Sequence, residues 1–92
     1  MSGKIQAQHI LVAKHSQALE VLSRLEKGES FEKLAEEVST CPSKRAGGDL
    51  GEFGHGMMVR EFEKAAFDLE VGEVTKEPVK TEFGYHIIKR TK

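Results

Sequence analysis

Histidine occurs twice in segments of this chain that are otherwise apolar. His9 opens the sequence His-Ile-Leu, and His86 opens the sequence His-Ile-Ile. A buried imidazole without a partner costs free energy, so each ring is expected to form a hydrogen bond. If the two segments are neighbouring central strands, the two rings can lie side by side and bond to each other. Histidines that only fix the packing of the core remain the alternative interpretation.

The single cysteine, Cys41, is the other residue with reactive chemistry. An adjacent imidazole can activate a thiol as a nucleophile, but no oxyanion hole is recognisable, and a lone cysteine can also be an inert small hydrophobe. His9, His55, His86 and Cys41 are four possible metal ligands. They lack the short fixed spacing of zinc motifs, so we predict no metal site and no cofactor.

Composition limits the class of protein. The length of 92 residues predicts a single domain over residues 1–92. With 14 Lys+Arg and 15 Asp+Glu the net charge is −1, which argues against a nucleic-acid binder. The longest apolar run, residues 7–13, is far shorter than the roughly 20 residues that span a bilayer. With one cysteine and no leader pattern in residues 1–4, we expect a monomer in the cytoplasm.

Hydrophobic periodicity predicts an α+β fold with the order β-α-α-loop-β-α-β-β. Strands are expected at residues 4–12, 49–53, 74–79 and 85–90, the third as an edge strand because it contains Pro78. Helices are expected from Ser16 to Gly28, over Phe31–Val38 with Ser30 as cap, and from Met58 to Leu69 with a stop at Gly72.

Over nearly its whole length the sequence resembles the parvulin family of peptidyl-prolyl cis/trans isomerases. The resemblance is carried by seven motifs in the family's order and spacing. They are HILV at 9–12, FEKLA at 31–35, STCPS at 39–43, GGDLGEF at 47–53, GMMV at 56–59, FEKAAF at 62–67 and GYHII at 84–88.

The resemblance implies a fold and a set of site residues. The implied fold is a four-stranded, mostly antiparallel sheet surrounded by about four helices, in the order β-α3-β-α-β2, with both histidines in the central strands. The residues matched to the family's site fall into two groups. His9, Cys41, Thr81 and His86 match catalytic positions, and Leu50, Met58 and Phe62 match the proline-binding pocket.

The implied activity is rotation about Xaa-Pro bonds without a covalent intermediate, in proline-containing peptides and in unfolded or flexible protein segments. Phosphate-selective relatives carry a basic cluster in a long loop after the first strand, whereas here only residues 13–16 connect the first strand and helix. We therefore predict no phosphate requirement. Lys44 and Arg45 either favour an acidic residue before proline or are simply solvated, and Phe83 matches a variable position. A chaperone or peptide-binding module without catalysis is the alternative function.

Overall fold

A four-stranded antiparallel sheet forms the centre of the computed structural model, which describes residues 3–92. The strands are β1 (Ile5–Val12), β2 (Asp49–Phe53), β3 (Val79–Thr81) and β4 (Gly84–Arg90), in the spatial order β2-β1-β4-β3. The two long strands, β1 and β4, pair at the centre because their apolar side chains are buried on both faces. The first and last strands of the chain are therefore neighbours.

Helices cover both faces of the sheet. Helices α1 (His15–Glu26) and α2 (Phe31–Val38) pack with Ile10 and Ile87 on one face. Helix α3 (Arg60–Asp68) packs on the other face, where its Phe62 side chain joins Ile88. A 3₁₀ helix, Pro42–Ala46, follows α2. None of the helices within residues 3–92 is long and apolar enough to cross a membrane.

The predicted α+β class and its four-stranded antiparallel sheet are confirmed. The three α-helices and the 3₁₀ helix account for the expected four helices. Ser30 caps α2, since its hydroxyl accepts the Lys33 N–H at 3.3 Å. The strand over Asp49–Phe53 is also confirmed, as is its irregularity: its register with β1 shifts between Gln6 and Gln8.

The prediction that Ser16 caps α1 is wrong. The N-cap is Lys14, which has an extended backbone, and Ser16 lies within the first turn. The Gln17 side-chain oxygen accepts the Lys14 N–H at 3.0 Å, which is the reach-back half of a capping box. At the other end, α1 stops at Glu26, and Gly28 adopts a φ of +94° just beyond it.

The predicted edge strand over residues 74–79 is also wrong in extent. Only Val79–Thr81 forms the strand, and Val74 makes an isolated bridge to Lys89. Pro78 lacks an N–H, so the chain enters the ladder only after it. Helix α3 is shorter than predicted as well. It begins at Arg60, because Val59 is its extended N-cap, and it ends at Asp68.

Candidate active site

His9 and His86 lie against each other in the centre of the sheet. The register pairs His9 with Ile88 and Leu11 with His86, so the two histidines are diagonal neighbours on the face that α3 covers. Their Nδ1 atoms are 2.9 Å apart, and the rings are inclined by 22°. Both residues are buried, with exposed fractions of 4% and 3%. The predicted contact between the histidines is present in the structure.

Thr81 extends this contact into a chain of hydrogen bonds. Its Oγ1 lies 2.7 Å from His86 Nε2 and accepts the Phe83 N–H at 3.1 Å. We assign the Thr81 hydroxyl as the donor to His86 Nε2, because in the reverse direction the hydroxyl proton has no acceptor within residues 3–92. His86 Nδ1–H then donates to His9 Nδ1, and His9 carries its proton on Nε2. That Nε2 atom is buried and has no hydrogen-bond partner within residues 3–92.

Both imidazoles are neutral near pH 7. Burial, with a smaller contribution from the neighbouring His86, lowers the pKa of His9 to about 4. Burial likewise lowers the pKa of His86 to about 4. A neutral pair joined by one hydrogen bond is consistent with the proton assignment above, because each ring then has one donor and one acceptor nitrogen.

Gly48 fixes the backbone of His9. The Gly48 carbonyl accepts the His9 N–H at 2.9 Å, and the Gly48 backbone has a φ of +89°. A Cβ atom at this position would lie 2.4 Å from the His9 carbonyl oxygen. Only glycine therefore permits this close approach between the loop before β2 and the histidine strand.

Cys41 is held beside the C-terminal end of β1. The preceding residue, Thr40, donates its N–H to Leu11 O at 2.8 Å, and the Ser39 hydroxyl accepts the Leu11 N–H at 3.1 Å. Cys41 is half-buried. Within residues 3–92 its thiol makes no hydrogen bond, so the base-to-nucleophile contact typical of covalent catalysis is not formed here.

A largely apolar pocket of about 500 Å³ opens in front of the histidine pair. Phe62 forms its floor, because the ring meets both imidazoles edge-to-face, with centroids 5.5 Å from His9 and 5.2 Å from His86. Leu50 and Met58 line the pocket beside it, as the resemblance implied. The complete lining is His9, Leu11, Thr40, Cys41, Pro42, Leu50, Met57, Met58, Val59, Phe62, Phe83 and His86.

The side chain of Asp49 helps to hold Leu50. Its Oδ1 accepts the Gly51 N–H at 2.9 Å, and the Gln6 amide donates to the same carboxylate at 3.1 Å. These bonds fix the irregular backbone of β2 on either side of Leu50. Gly51 itself has a φ of +73°, which explains why a glycine interrupts the strand at this position.

The remaining residues singled out in the sequence lie at the margin of the pocket or away from it. Phe83 is 63% exposed and lines the rim. Lys44 and Arg45 are exposed on the 3₁₀ helix beside the pocket, and neither lines it. Within residues 3–92 no group of three or more histidine, cysteine or acidic residues can hold a metal, and His55 instead pairs with Glu63 at 3.1 Å.

Met57 is one of five pocket residues that sequence reasoning did not assign, the others being Leu11, Thr40, Pro42 and Val59. It is 62% exposed, yet it lines the rim together with the half-buried Met58. The signal was the doublet itself, because two consecutive methionines cannot both face the core from one helix start. The structure resolves this by placing both ahead of α3, in an irregular segment.

Comparison with known proteins places this fold and site. The family described as Rotamase: PPIC-type PPIASE domain matches residues 6–92. The Foldase protein PrsA of Bacillus subtilis is 56% identical over 92 residues, which is 99% of this chain and 31% of that protein. The solution structure of NmPin, the parvulin of Nitrosopumilus maritimus, is 55% identical with a TM-score of 0.88, covering 100% of this chain and 99% of that one.

A third similarity is to the crystal structure of PrsA from Bacillus subtilis, with a TM-score of 0.94 and 57% identity over 98% of this chain and 35% of that one. The chain thus spans about a third of the length of the curated foldases it matches. Fold and site together are those of a peptidyl-prolyl cis/trans isomerase. The chain belongs to the PPIC-type PPIase family, the parvulins.

Proposed function

We propose that this domain isomerises Xaa-Pro bonds in unfolded or flexible protein segments by a purely non-covalent route. The observation that carries the proposal is the apolar pocket of Leu50, Met58 and Phe62 directly in front of a neutral histidine pair. Such a pocket suits a pyrrolidine ring, which is apolar and compact. The peptide on either side of the ring is left in the open mouth of the pocket.

Catalysis in this proposal comes from stabilising the twisted amide. Rotation about an amide bond has a barrier of about 18–20 kcal/mol, because the planar form is stabilised by resonance. The planar amide is also the more polar form, so removing water from the bond favours the twisted form relative to the planar one. Holding the ring while the preceding carbonyl turns then lowers the barrier. No bond is made or broken.

The histidine pair and Cys41 are assigned electrostatic roles in stabilising the twisted amide. With both imidazoles neutral, the pocket floor carries no charge that would stabilise the planar, polar amide. The Cys41 thiol lies beside the site of the turning carbonyl, and the pair sets its electrostatic surroundings without deprotonating it. Thr81 supports this arrangement by fixing the direction of the hydrogen bonds.

The proposed substrates carry no phosphate before proline. Between the end of β1 and the start of α1 lie only Ala13 and Lys14, so there is no basic loop that would recognise a phosphate. Lys44 and Arg45, which form no ion pair within residues 3–92, are proposed to favour an acidic side chain before proline.

A chaperone function without catalysis is the second candidate. The description of one similar protein favours it, since a structure 42% identical over 97% of this chain and 38% of that one, with a TM-score of 0.91, is described among SurA-like chaperones. In that case the pocket would hold proline-containing segments without accelerating their rotation. The buried histidine pair would then serve packing alone.

NMR exchange spectroscopy separates these functions. Three short peptides that differ only in the residue before proline, alanine, glutamate or phosphoserine, are measured with and without catalytic amounts of protein. Faster exchange of the alanine peptide supports the isomerase, and a faster glutamate peptide supports the role of Lys44 and Arg45. Clear preference for phosphoserine contradicts the absence of a phosphate requirement. Shifted peptide signals without faster exchange support the chaperone.

The cellular setting is also a proposal. We propose a monomer that acts in the cytoplasm on unfolded protein segments, supported by the single half-buried cysteine, which suits a reducing compartment. Sedimentation velocity at micromolar concentration tests the monomer. Fractionation of the native cells with an antibody to the domain tests the compartment, and recovery outside the cytoplasm would contradict the proposal.

A further inference from the structure

The wall of the pocket that carries both methionines is an irregular segment. Residues 54–58, named here the rim loop, connect β2 to the N-cap of α3 and form neither helix nor strand. Gly56, at its centre, has a φ of +85°. Met57 and Met58 follow and line the pocket. A segment of this kind does not fix the position of its side chains by backbone pairing, so other contacts must do so.

One carboxylate joins the rim loop to α3. Glu63 Oε1 accepts the Gly56 N–H at 2.6 Å, and Glu63 Oε2 lies 3.1 Å from His55 Nδ1. The two oxygens therefore bind two successive residues of the loop. These bonds, together with the charge of Arg60, lower the pKa of Glu63, so the group is ionised at neutral pH. Hydrogen bonds to an ionised acceptor are stronger than those between neutral groups.

A ring contact adds to the attachment, and Met58 itself packs against the cluster that contains Phe62. The His55 imidazole stacks on Phe67, with centroids 4.1 Å apart and planes inclined by 25°. Glu63 and Phe67 are four positions apart and share one face of α3, so a single histidine contacts both. The rim loop is thus held to α3 by a carboxylate and by an aromatic ring one turn further along.

The same helix also carries the floor of the pocket. Phe62, which contacts both catalytic-site histidines, immediately precedes Glu63. The floor and the anchor of the methionine wall therefore lie on one turn of α3. The histidine pair, in contrast, lies on the sheet and has no contact with this anchor within residues 3–92.

We propose that Glu63 is a positioning residue for proline binding, which holds the methionine wall of the rim loop against Phe62. The proposal deepens the proposed function, since it concerns how the same pocket recognises a proline ring. Without the carboxylate, the loop samples arrangements in which the wall is displaced. Only the fraction of molecules with the wall in place is then competent to bind. If that fraction falls to between about a tenth and a third, the apparent Kd rises about 3- to 10-fold.

Three variants and two measurements test this role. Glu63→Ala removes the anchor, and Glu63→Gln keeps an acceptor oxygen for the Gly56 N–H. Glu61→Ala is the matched control, because Glu61 is also acidic and lies in the first turn of α3, but it is exposed and forms no hydrogen bond or ion pair with the rim loop within residues 3–92, whereas Glu63 is half-buried. For each protein, the Kd for an Ala-Pro peptide is measured by NMR titration. The order of the Met57 and Met58 methyl groups is measured separately by ¹³C relaxation in the protein without peptide.

The proposal expects three results together. Glu63→Ala raises Kd about 3- to 10-fold and increases motion of both methyl groups, whereas kcat, measured at saturating peptide, changes little. Glu63→Gln recovers most of the binding and most of the methyl order. Glu61→Ala has the Kd and the methyl order of the unchanged protein. If loss of helix-terminal charge is the only effect on stability, the unfolding midpoint falls equally in Glu61→Ala and Glu63→Ala.

Unchanged methyl order in Glu63→Ala would overturn the proposal, and so would equal changes in Kd for Glu63→Ala and Glu61→Ala. The methyl measurement needs no substrate. If the unchanged protein binds peptide but does not catalyse, the isomerase function is contradicted. The Kd values and the methyl order of the variants then still decide the positioning role of Glu63.

Discussion

The buried histidine pair makes the stability of this domain depend on pH. In the unfolded chain each imidazole has its ordinary pKa of 6.5, and in the folded domain the pKa is about 4. At pH 7.5 both rings are neutral in both states. As the pH falls below about 6.5, the unfolded chain binds protons at these histidines and the folded domain does not. The free energy of unfolding therefore falls, and it stops falling below about pH 4.

The size of this effect follows from the two pKa values. At pH 5, one histidine with these pKa values lowers the free energy of unfolding by about 2 kcal/mol relative to pH 7.5. His9 and His86 together lower it by up to about 4 kcal/mol, a large part of the roughly 5–15 kcal/mol that stabilises a small domain. With a urea dependence of about 1–1.5 kcal/mol per molar, the midpoint of urea unfolding shifts by about 3 M.

Urea unfolding followed by circular dichroism at pH 7.5, 6.5, 5.5 and 5.0 measures this shift. Carboxylates interfere little in this window. The pKa of Glu32 is lowered by hydrogen bonds, first from Gln8, and that of Glu63 is lowered in the same way by the Gly56 N–H. Their contribution to stability is therefore present above about pH 4.5 and is lost only below it.

Two double variants separate the buried pair from the exposed histidines. His9→Leu/His86→Leu leaves the Thr81 hydroxyl without its acceptor but removes both buried titrating rings, so its midpoint is expected to be nearly constant from pH 7.5 to 5. His15→Gln/His55→Gln, which removes the two exposed rings, is expected to keep the full decline. A flat profile in the unchanged protein, or a decline that survives in the buried double variant, would refute the reasoning.

Three further predictions probe the site. Cys41→Asp should retain kcat/KM to within about tenfold, since no covalent step is proposed, and activity at the uncatalysed level in the NMR exchange assay would favour the nucleophile instead. Gly48→Ala should lose more than about 2 kcal/mol in urea unfolding, because the new Cβ meets a carbonyl oxygen at 2.4 Å. Gly51→Ala, with a similar positive φ but no atom within 4 Å, should lose only about 1–2 kcal/mol, and equal losses would contradict the steric argument. Thr81→Val leaves His86 Nε2 unpartnered and should cost about 1–3 kcal/mol, which Thr81→Ser should restore unless the hydroxyl is unimportant.

Much of the fold could be read from local patterns. The central strands were predictable because a histidine followed by β-branched and other apolar residues, as at His9 and His86, is typical of a strand buried on both faces. Helix α2 was predictable because its apolar spacing agrees with its cap at Ser30. The extent of the edge strand was not, because pairing of Val74 and Val79 with β4 depends on the path of the chain on both sides of Pro78, which no local pattern specifies.

The site likewise contains residues that the sequence predicted and residues that it did not. Contact between the histidines followed from the prediction that their strands are neighbours, and the structure supplies the diagonal register. The pocket residues Leu50, Met58 and Phe62 came from the resemblance to parvulins, because apolar residues at helical spacing ordinarily indicate core. The contribution of Met57 and the anchoring by Glu63 depend on the path of an irregular loop, and neither has a periodic signature in the sequence.

The pairing of β1 with β4 brings the two ends of the domain together. The Gln6 N–H donates to Lys92 O at 3.2 Å, and the Thr91 N–H donates to Gln6 O at 2.8 Å. His9, the first pocket residue along β1, is three residues further on, about 10 Å away. A domain whose two ends lie together outside its pocket can be inserted into a loop of a host protein without interrupting the fold of the host. Circular permutants with new ends elsewhere on the surface are expected to fold for the same reason.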